Sequence, residues 1–199
     1  MKLLINTTSP YARLARIALW EKGFHDIETQ ILDPWADAPE LLAANAAARV
    51  PSLITDDGQA LTESLLIVLW LEKVRPDPSL LGSDPTSELS RAGIAMGVIE
   101  AAAHTIIIRN KITGPSFDES PVGLRRRRTM VEGLKRIDAG AKEPSDRVLG
   151  LATITAVVAL DYIRFRFSTA EWVPKIERLE RLRRQVAARP SIEQTMPYG

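Results

Sequence analysis

Short apolar runs and helical patterns alternate through the first eighty residues. Four runs too short for a helix predict strands, at residues 2–6, 27–32, 50–55 and 59–62. Apolar positions at helical spacing predict three helices between and after them, at residues 10–22, 39–48 and 64–73. Asp57-Gly58 signals a tight turn between the last two strands. This order of elements predicts an α/β unit with a mixed sheet of about four strands.

The pattern changes after this unit. Residues 76–85 contain three prolines and a glycine, which is typical of a linker. Every later segment has helical periodicity, and we predict helices at residues 88–110, 120–137, 151–165 and 173–188. We therefore expect two domains, an α/β domain at residues 1–78 and an all-helical bundle at residues 86–199, joined by a linker at residues 79–85.

Composition excludes several classes of function. The 199 residues carry 26 basic and 25 acidic side chains, so the net charge of +1 argues against a nucleic-acid partner. The chain has no cysteine, which excludes disulfides and thiol nucleophiles, and its two histidines make a metal centre improbable. The apolar stretch at residues 149–160 is shorter than the ~18–20 residues of a membrane span. We expect a soluble, cytoplasmic protein with no metal and no membrane partner.

A hydroxyl cluster lies where the first strand meets the first helix. Ser9-Pro10 predicts a helix start, with serine as N-cap and proline at the first helical position. The free N–H groups of a helix N-terminus favour a bound anion, and a serine hydroxyl there can donate to a thiolate or oxyanion. Thr7 and Thr8 are alternative donors. For an isolated Ser-Pro, a purely capping role is the more common one.

Two further segments predict ligand contacts. Arg49-Val50-Pro51 precedes the third strand, and a cis Val50-Pro51 bond would turn the backbone of Val50 outward to pair with an extended peptide. Glu63-Ser64 begins the third helix, where the helix end can hold a carboxylate and Glu63 an ammonium group. Capping of the helix is the alternative explanation for these residues, and capping and ligand binding are compatible uses of one helix end.

The ordered combination of these segments resembles the glutathione S-transferase family. The similar stretches are SPYAR at residues 9–13, NAAARVPSLI at residues 45–54, LTES at residues 61–64 and AARPS at residues 187–191. The resemblance covers nearly the whole chain. It implies a thioredoxin-like N-terminal domain, an all-helical C-terminal domain and a homodimer.

The resemblance also implies a function and a site. The expected function is a detoxifying transferase that binds glutathione as a thiolate and conjugates it to a small apolar electrophile. Ser9 is expected to stabilise the thiolate, and glutathione is expected to contact Arg49, Val50, Pro51, Glu63 and Ser64. Two alternatives stay open, a non-catalytic glutathione-binding or regulatory protein and a glutathione-dependent peroxidase.

One position departs from the family pattern. The buried helix of the second domain commonly starts with a serine or threonine cap and an aspartate three residues later, where this chain has Gly150 and Thr153. Because glycine is a tolerable cap, we expect a local cost of ~1 kcal/mol or less.

Overall fold

The computed structural model describes residues 1–144 and 147–198. The chain divides into two compact units. The first comprises Met1–Leu80 together with the C-terminal residues from Arg189 onward, and the second comprises Leu81–Ala188.

A mixed four-stranded sheet forms the centre of the first unit. Its strands are β1 (Lys2–Ile5), β2 (Glu28–Ile31), β3 (Ser52–Ile54) and β4 (Ala60–Thr62), in the spatial order β2-β1-β3-β4. β1 runs parallel to β2, whereas β3 runs antiparallel to both β1 and β4. All four strands lie within the ranges that the sequence predicts.

Three helices accompany the sheet, α1 (Pro10–Glu21), α2 (Pro39–Ala44) and α3 (Ser64–Val74). The apolar face of α1 is fully buried at Leu14, Ile17 and Ala18. The helix ends because Gly23 adopts a φ of +77°, a conformation that a residue with a side chain rarely takes.

A buried lysine joins the end of α1 to the segment after α3. Lys22 is 1% exposed, and its ammonium donates to the carbonyls of Arg75 at 2.6 Å and Pro78 at 2.7 Å and pairs with Glu72. Burial raises the pKa of Glu72, but hydrogen bonds from Lys22, from the Leu80 backbone and from a serine more than offset it, so that the pKa is lowered. The cluster ties both helix ends together.

Every secondary-structure element in the described residues of the second unit is helical, and loops connect these elements. The unit contains α4 (Pro85–Ile108), a π-helical turn (Arg109–Thr113), a 3₁₀ turn (Gly114–Glu119), α5 (Pro121–Ala139), α6 (Leu151–Arg166) and α7 (Glu177–Gln185). Every residue of α6 from Leu151 to Ile163 is buried, as its uncharged sequence predicts. α7 is shorter at both ends than the predicted helix at residues 173–188.

The stretch Pro85–Glu119 is long and apolar enough to cross a membrane by length and composition alone, with a mean hydropathy of 1.4 in its most apolar window. Of that window, 44% is buried in the protein. A single such helix is weak evidence for a membrane span, because core helices of soluble proteins meet the same criteria.

The C-terminal residues lie along α1 of the first unit, not with the helical bundle in which the sequence pattern placed them. They include a one-turn helix, α8 (Pro190–Glu193). Arg189 forms an ion pair at 2.8 Å with Glu21, whose side chain is only 4% exposed, and Ser191 donates to the same carboxylate. These polar contacts involve residues far apart in sequence, so local periodicity does not reveal them.

Candidate functional site

The three predicted site segments meet at one edge of the sheet. Leu4 of β1 pairs with Ser52 of β3, and Ser52 pairs with Thr62 of β4. Because β3 runs antiparallel to both neighbours, the end of β1, the start of β3 and the end of β4 lie side by side. The segments that carry Ser9, Val50 and Ser64 therefore emerge at a common edge.

Ser9 caps the first helix. Its backbone is extended, and its Oγ accepts a hydrogen bond from the backbone N–H of Ala12 at 3.2 Å. The backbone N–H of Ser9 donates to the Asn6 carbonyl at 3.1 Å and closes the turn between β1 and α1. The capping role predicted for Ser9 is confirmed.

Both neighbouring threonines commit their hydroxyl hydrogens elsewhere. The Thr7 hydroxyl lies 2.8 Å from the carbonyl oxygen of Tyr198, which can only accept. The Thr8 hydroxyl lies 2.7 Å from Asn6 Oδ1, and the Thr8 N–H donates to the same oxygen at 3.0 Å. Asn6 Nδ2 donates to the Leu32 carbonyl, which fixes the orientation of the amide. Thr7 and Thr8 must therefore both be donors within the protein.

The hydroxyl hydrogen of Ser9 differs in this respect. Its oxygen accepts from Ala12, but the hydroxyl donates to no acceptor among residues 1–144 and 147–198. A serine hydroxyl is both a donor and an acceptor, so the capping bond leaves the donor available. Ser9 is half-buried at the start of α1, so part of its surface is exposed to solvent.

The loop before β3 is held by one carbonyl. The Arg49 carbonyl accepts hydrogen bonds from Asn45 Nδ2 at 2.9 Å and from the Ser52 hydroxyl at 3.0 Å. The following Val50–Pro51 peptide bond is cis. No hydrogen bond joins the Val50 backbone to another described residue, so its N–H and C=O are unpaired within the described parts of the chain.

The start of α3 has an unusual backbone. Glu63 has a φ of +63° and its side chain makes no capping bond to the helix. Ser64 is 3% exposed, and its hydroxyl makes no hydrogen bond with another described residue. Across the site, the Arg49 guanidinium lies 2.8 Å from the Glu63 carboxylate, and both side chains are more than half exposed. The ion pair brings two of the predicted segments into direct contact.

The electrostatics of this edge favour an anion. α1 has a neutral N-cap, Ser9, and no acidic residue in its first turn, so the positive end of its dipole is not neutralised there. At the start of α3 the carboxylate of the N-cap residue Glu63 is paired with Arg49. Further along α1, burial lowers the pKa of the Arg16 guanidinium, and the Tyr198 phenol partly offsets this shift. Within the described residues, no group of three or more His, Asp or Glu side chains is placed to hold a metal ion.

Two residues of this site were not among the predicted ones. Asn6 holds the turn that carries Ser9, and Asn45 holds the loop that carries Val50. Each asparagine also accepts the N–H two residues later, from Thr8 and from Ala47. This local pattern is the asparagine turn, and it is the sequence signal that identifies both.

Comparison with known proteins agrees with the geometry. The sequence-family model of the glutathione S-transferase N-terminal domain matches residues 8–74 of this chain. A maleylacetoacetate isomerase from Pseudomonas aeruginosa is 30% identical over 209 aligned residues, which cover 99% of this chain and 96% of that protein. The chain belongs to the glutathione S-transferase family.

Solved structures of this family have the same fold. A glutathione S-transferase from Methylobacterium radiotolerans, in complex with glutathione sulfonate, is 31% identical and superimposes with a TM-score of 0.88 over 100% of this chain and 95% of that one. A glutathione S-transferase from Methylobacillus flagellatus with GSH bound is 27% identical, with a TM-score of 0.85 over 99% of each chain. The predicted fold class, a thioredoxin-like domain followed by a helical domain, is confirmed.

Proposed function

We propose that this glutathione S-transferase family member binds glutathione as a thiolate and conjugates it to a small apolar electrophile, with Ser9 as the donor to the sulfur. The single observation that carries this proposal is the uncommitted hydroxyl hydrogen of Ser9. Thr7 and Thr8, the alternative donors in the same turn, direct theirs to Tyr198 and Asn6.

The energies involved are sufficient. A thiol with a pKa of about 8.5 is mostly protonated at neutral pH, and lowering the pKa by one unit takes about 1.4 kcal/mol of preferential stabilisation of the anion. A hydrogen bond to a charged group contributes about 1.5–3 kcal/mol, and a helix N-terminus about 0.3–1 kcal/mol. The thiol proton leaves to solvent, Ser9 keeps its own proton, and the thiolate forms the new C–S bond as the leaving group departs.

The remaining predicted residues hold the rest of the tripeptide. The unpaired backbone of Val50, beside the cis-proline Pro51, supports pairing with the cysteinyl residue of glutathione. Ser64 and the uncapped start of α3 suit the γ-glutamyl carboxylate, while Glu63 suits its ammonium group. Arg49 then lies beside the ligand backbone. There its guanidinium gives up the ion pair with Glu63 and contacts the ligand. Glutathione sulfonate and GSH in the two related transferases support this choice of ligand.

A second candidate function is glutathione-dependent isomerisation of a cis double bond. The observation that favours it is the 30% identity with a maleylacetoacetate isomerase over nearly the full length of both chains. The thiolate of glutathione adds to the double bond, the resulting single bond rotates, and elimination releases the thiolate unchanged. The same Ser9 donor serves both reactions.

Calorimetry with glutathione, followed by turnover assays on one enzyme preparation, separates these functions. With an aryl halide, conjugation consumes free thiol and forms a thioether. With a cis-dicarboxylate, isomerisation changes the substrate and leaves the thiol titre constant. Reduction of an organic peroxide converts glutathione to its disulfide. Binding without any turnover identifies the non-catalytic alternative, and absence of binding overturns the proposal.

Assembly and location are part of the proposal. Three leucines on helix surfaces support a homodimer, since stable interfaces bury apolar side chains: Leu66 and Leu69 of α3 are 56% and 46% exposed, and Leu89 of α4 is 44% exposed. Light scattering of the purified protein measures the mass, and Leu69→Glu is expected to yield monomers. A cytoplasmic location and a role in detoxification stay predictions from the family resemblance.

A further inference from the structure

The C-terminal residues 189–198, here called the C-terminal segment, follow α1 from its end back to its beginning. At the end of α1, Glu21 is paired with Arg189 at 2.8 Å. In the middle of the helix, Arg16 donates to the Gln194 carbonyl at 2.8 Å. The segment and the helix therefore run in opposite directions, and the segment approaches the proposed thiolate site as it proceeds.

A buried arginine fixes the segment near the start of the helix. Arg13 is 3% exposed, and its Nη2 lies 3.2 Å from Met196 Sδ and 3.5 Å from the Ile192 carbonyl. Its Nε lies 3.4 Å from the Thr195 hydroxyl. Arg13 follows Ser9 by four residues, about one turn of helix, so these contacts join residues 195 and 196 to the first part of α1.

The last contact reaches the turn that carries Ser9. This turn is formed by residues 6–9 and is closed by the bond from the Ser9 N–H to the Asn6 carbonyl. Its second residue, Thr7, donates its hydroxyl hydrogen to the Tyr198 carbonyl at 2.8 Å. The Asn6 side chain holds two residues of the turn. Its Oδ1 accepts the N–H of Thr8, and its Nδ2 anchors Asn6 itself by donating to the Leu32 carbonyl. Thr7 is fixed from the C-terminal segment.

We propose that Thr7 is a positioning residue, which aims the Ser9 hydroxyl at the sulfur by tethering the turn to the C-terminal segment through the Tyr198 carbonyl. The inference rests on the function proposed above for Ser9. A donor stabilises an anion only when it is held at the right distance and angle, and this is why supporting contacts around a donor affect the reaction. Without the tether the turn keeps its bonds to Asn6, but the direction of the Ser9 hydroxyl is less well determined.

The test replaces the Thr7 hydroxyl without changing its shape. Thr7→Val is expected to move the pH profile of kcat/KM upward by about half a unit to one unit, which is about a threefold to tenfold loss of rate below the midpoint. Thr7→Ser restores the donor and is expected to restore the wild-type profile. The matched control is Thr129→Val on α5, where an exposed threonine also donates to a carbonyl at 3.1 Å. Its profile is expected to be unchanged.

Deletion of residues 198 and 199 removes the acceptor instead of the donor. It also removes the Tyr198 phenol that acts on Arg16, but it keeps the residues, at positions 192–196, that accept hydrogen bonds from Arg13 and Arg16. The deletion is expected to give the same pH shift as Thr7→Val, and the combined variant no further shift, because both changes remove one interaction. Thermal melting and far-ultraviolet circular dichroism verify that each variant is folded.

The outcomes distinguish the two proposals. If the wild type turns over and the pH profile of Thr7→Val is not shifted, the positioning role alone is overturned. The positioning role is also overturned if the pH shift of the combined variant equals the sum of the shifts of Thr7→Val and of the deletion. An unaltered profile in Ser9→Ala overturns the proposed role of Ser9, and the positioning role with it. Failure of the wild type to bind glutathione overturns both.

Discussion

Two helices of this protein begin with the same dipeptide, Ser-Pro, and differ in whether the serine hydroxyl donates a hydrogen bond. α1 starts at Ser9-Pro10 and α5 at Ser120-Pro121, each with serine as N-cap and proline at the first helical position. Both serines accept the N–H of the residue three positions later, Ser9 from Ala12 at 3.2 Å and Ser120 from Gly123 at 3.0 Å. As caps, the two residues are equivalent.

Their hydroxyl hydrogens have different environments. Ser120 donates to the Phe117 carbonyl at 2.7 Å, whereas Ser9 donates to no acceptor within the described parts of the chain. The backbone of the preceding turn also covers the start of α5, where a side chain at Gly123 would collide with Phe117. A capping serine is thus available for chemistry only where its hydrogen has no partner and its surroundings leave space.

The largest expected difference is in turnover. Ser9→Ala is expected to lower kcat/KM by about 10- to 100-fold, because a hydrogen bond to a charged group is lost. Ser120→Ala removes the same cap from α5 and is expected to leave kcat/KM unchanged. Each variant is expected to lose about 1 kcal/mol of unfolding free energy. Steady-state conjugation kinetics and urea unfolding give both quantities. Equal kinetic losses in the two variants would remove Ser9 from the mechanism.

A third helix start, that of α6, extends the comparison. Gly150 provides no side-chain cap, but the Glu88 carboxylate of α4 accepts the Ala152 N–H at 2.9 Å and is itself held by Arg91 at 3.1 Å. The cap that the family pattern places at residue 150 is therefore supplied from another helix.

Glu88→Ala is expected to cost about 1–2 kcal/mol of unfolding free energy, since it removes both a cap and a negative charge at a helix N-terminus. The matched control is Glu132→Ala, which removes an exposed carboxylate paired with Lys135 and is expected to cost less than about 0.5 kcal/mol. Urea unfolding measures both. Similar losses in the two variants would show that Glu88 does not cap α6.

Gly150→Ser tests whether a side-chain cap at residue 150 can replace the Glu88 cap. A Cβ at residue 150 would lie 2.9 Å from Glu88 Oε2, so the two caps cannot occupy the same space. The serine displaces the carboxylate and supplies its own cap, so that the net change in wild type is expected to be below about 0.5 kcal/mol. In the Glu88→Ala background the same substitution is expected to restore about 1 kcal/mol, as a double-mutant cycle would measure. Independent, additive effects would contradict the coupling.

The smallest expected effect is on the unfolding free energy of Ser9→Gly, a variant that separates the capping role of Ser9 from its role as a hydrogen-bond donor. Glycine is nearly as good a cap as serine, so Ser9→Gly is expected to cost only a few tenths of a kcal/mol of stability, against about 1 kcal/mol for Ser9→Ala. Both variants lack the hydroxyl and are expected to lose the same turnover. A Ser9→Gly enzyme with wild-type kinetics would show that the cap, not the donor, supports the reaction.

Local features of this chain could be predicted from its sequence. The Ser-Pro helix starts, the glycine stop of α1 at Gly23 and the four short strands all depend on neighbouring residues, and the structure contains each of them. The edge at which the three site segments meet follows from the order and direction of those strands.

The features that local pattern did not reveal depend on partners distant in sequence. Thr7 and Tyr198 are 191 residues apart, Glu88 and Ala152 are 64 apart, and Lys22 contacts a carbonyl 53 positions later. Which of the three hydroxyls in the first turn has an unused hydrogen also depends on a distant partner, because the Thr7 hydroxyl donates to the carbonyl of Tyr198.

A pH titration of bound glutathione in wild type and Ser9→Ala tests whether Ser9 donates to the sulfur. The ultraviolet difference absorbance of the thiolate measures the ionised fraction at each pH. A donor to the sulfur lowers the pKa of the thiol, so the wild-type midpoint is expected at least about one unit below the 8.5 of a free thiol. In Ser9→Ala the midpoint is expected to rise by about one to two units, toward the free value. Identical midpoints in the two proteins would contradict the role of Ser9.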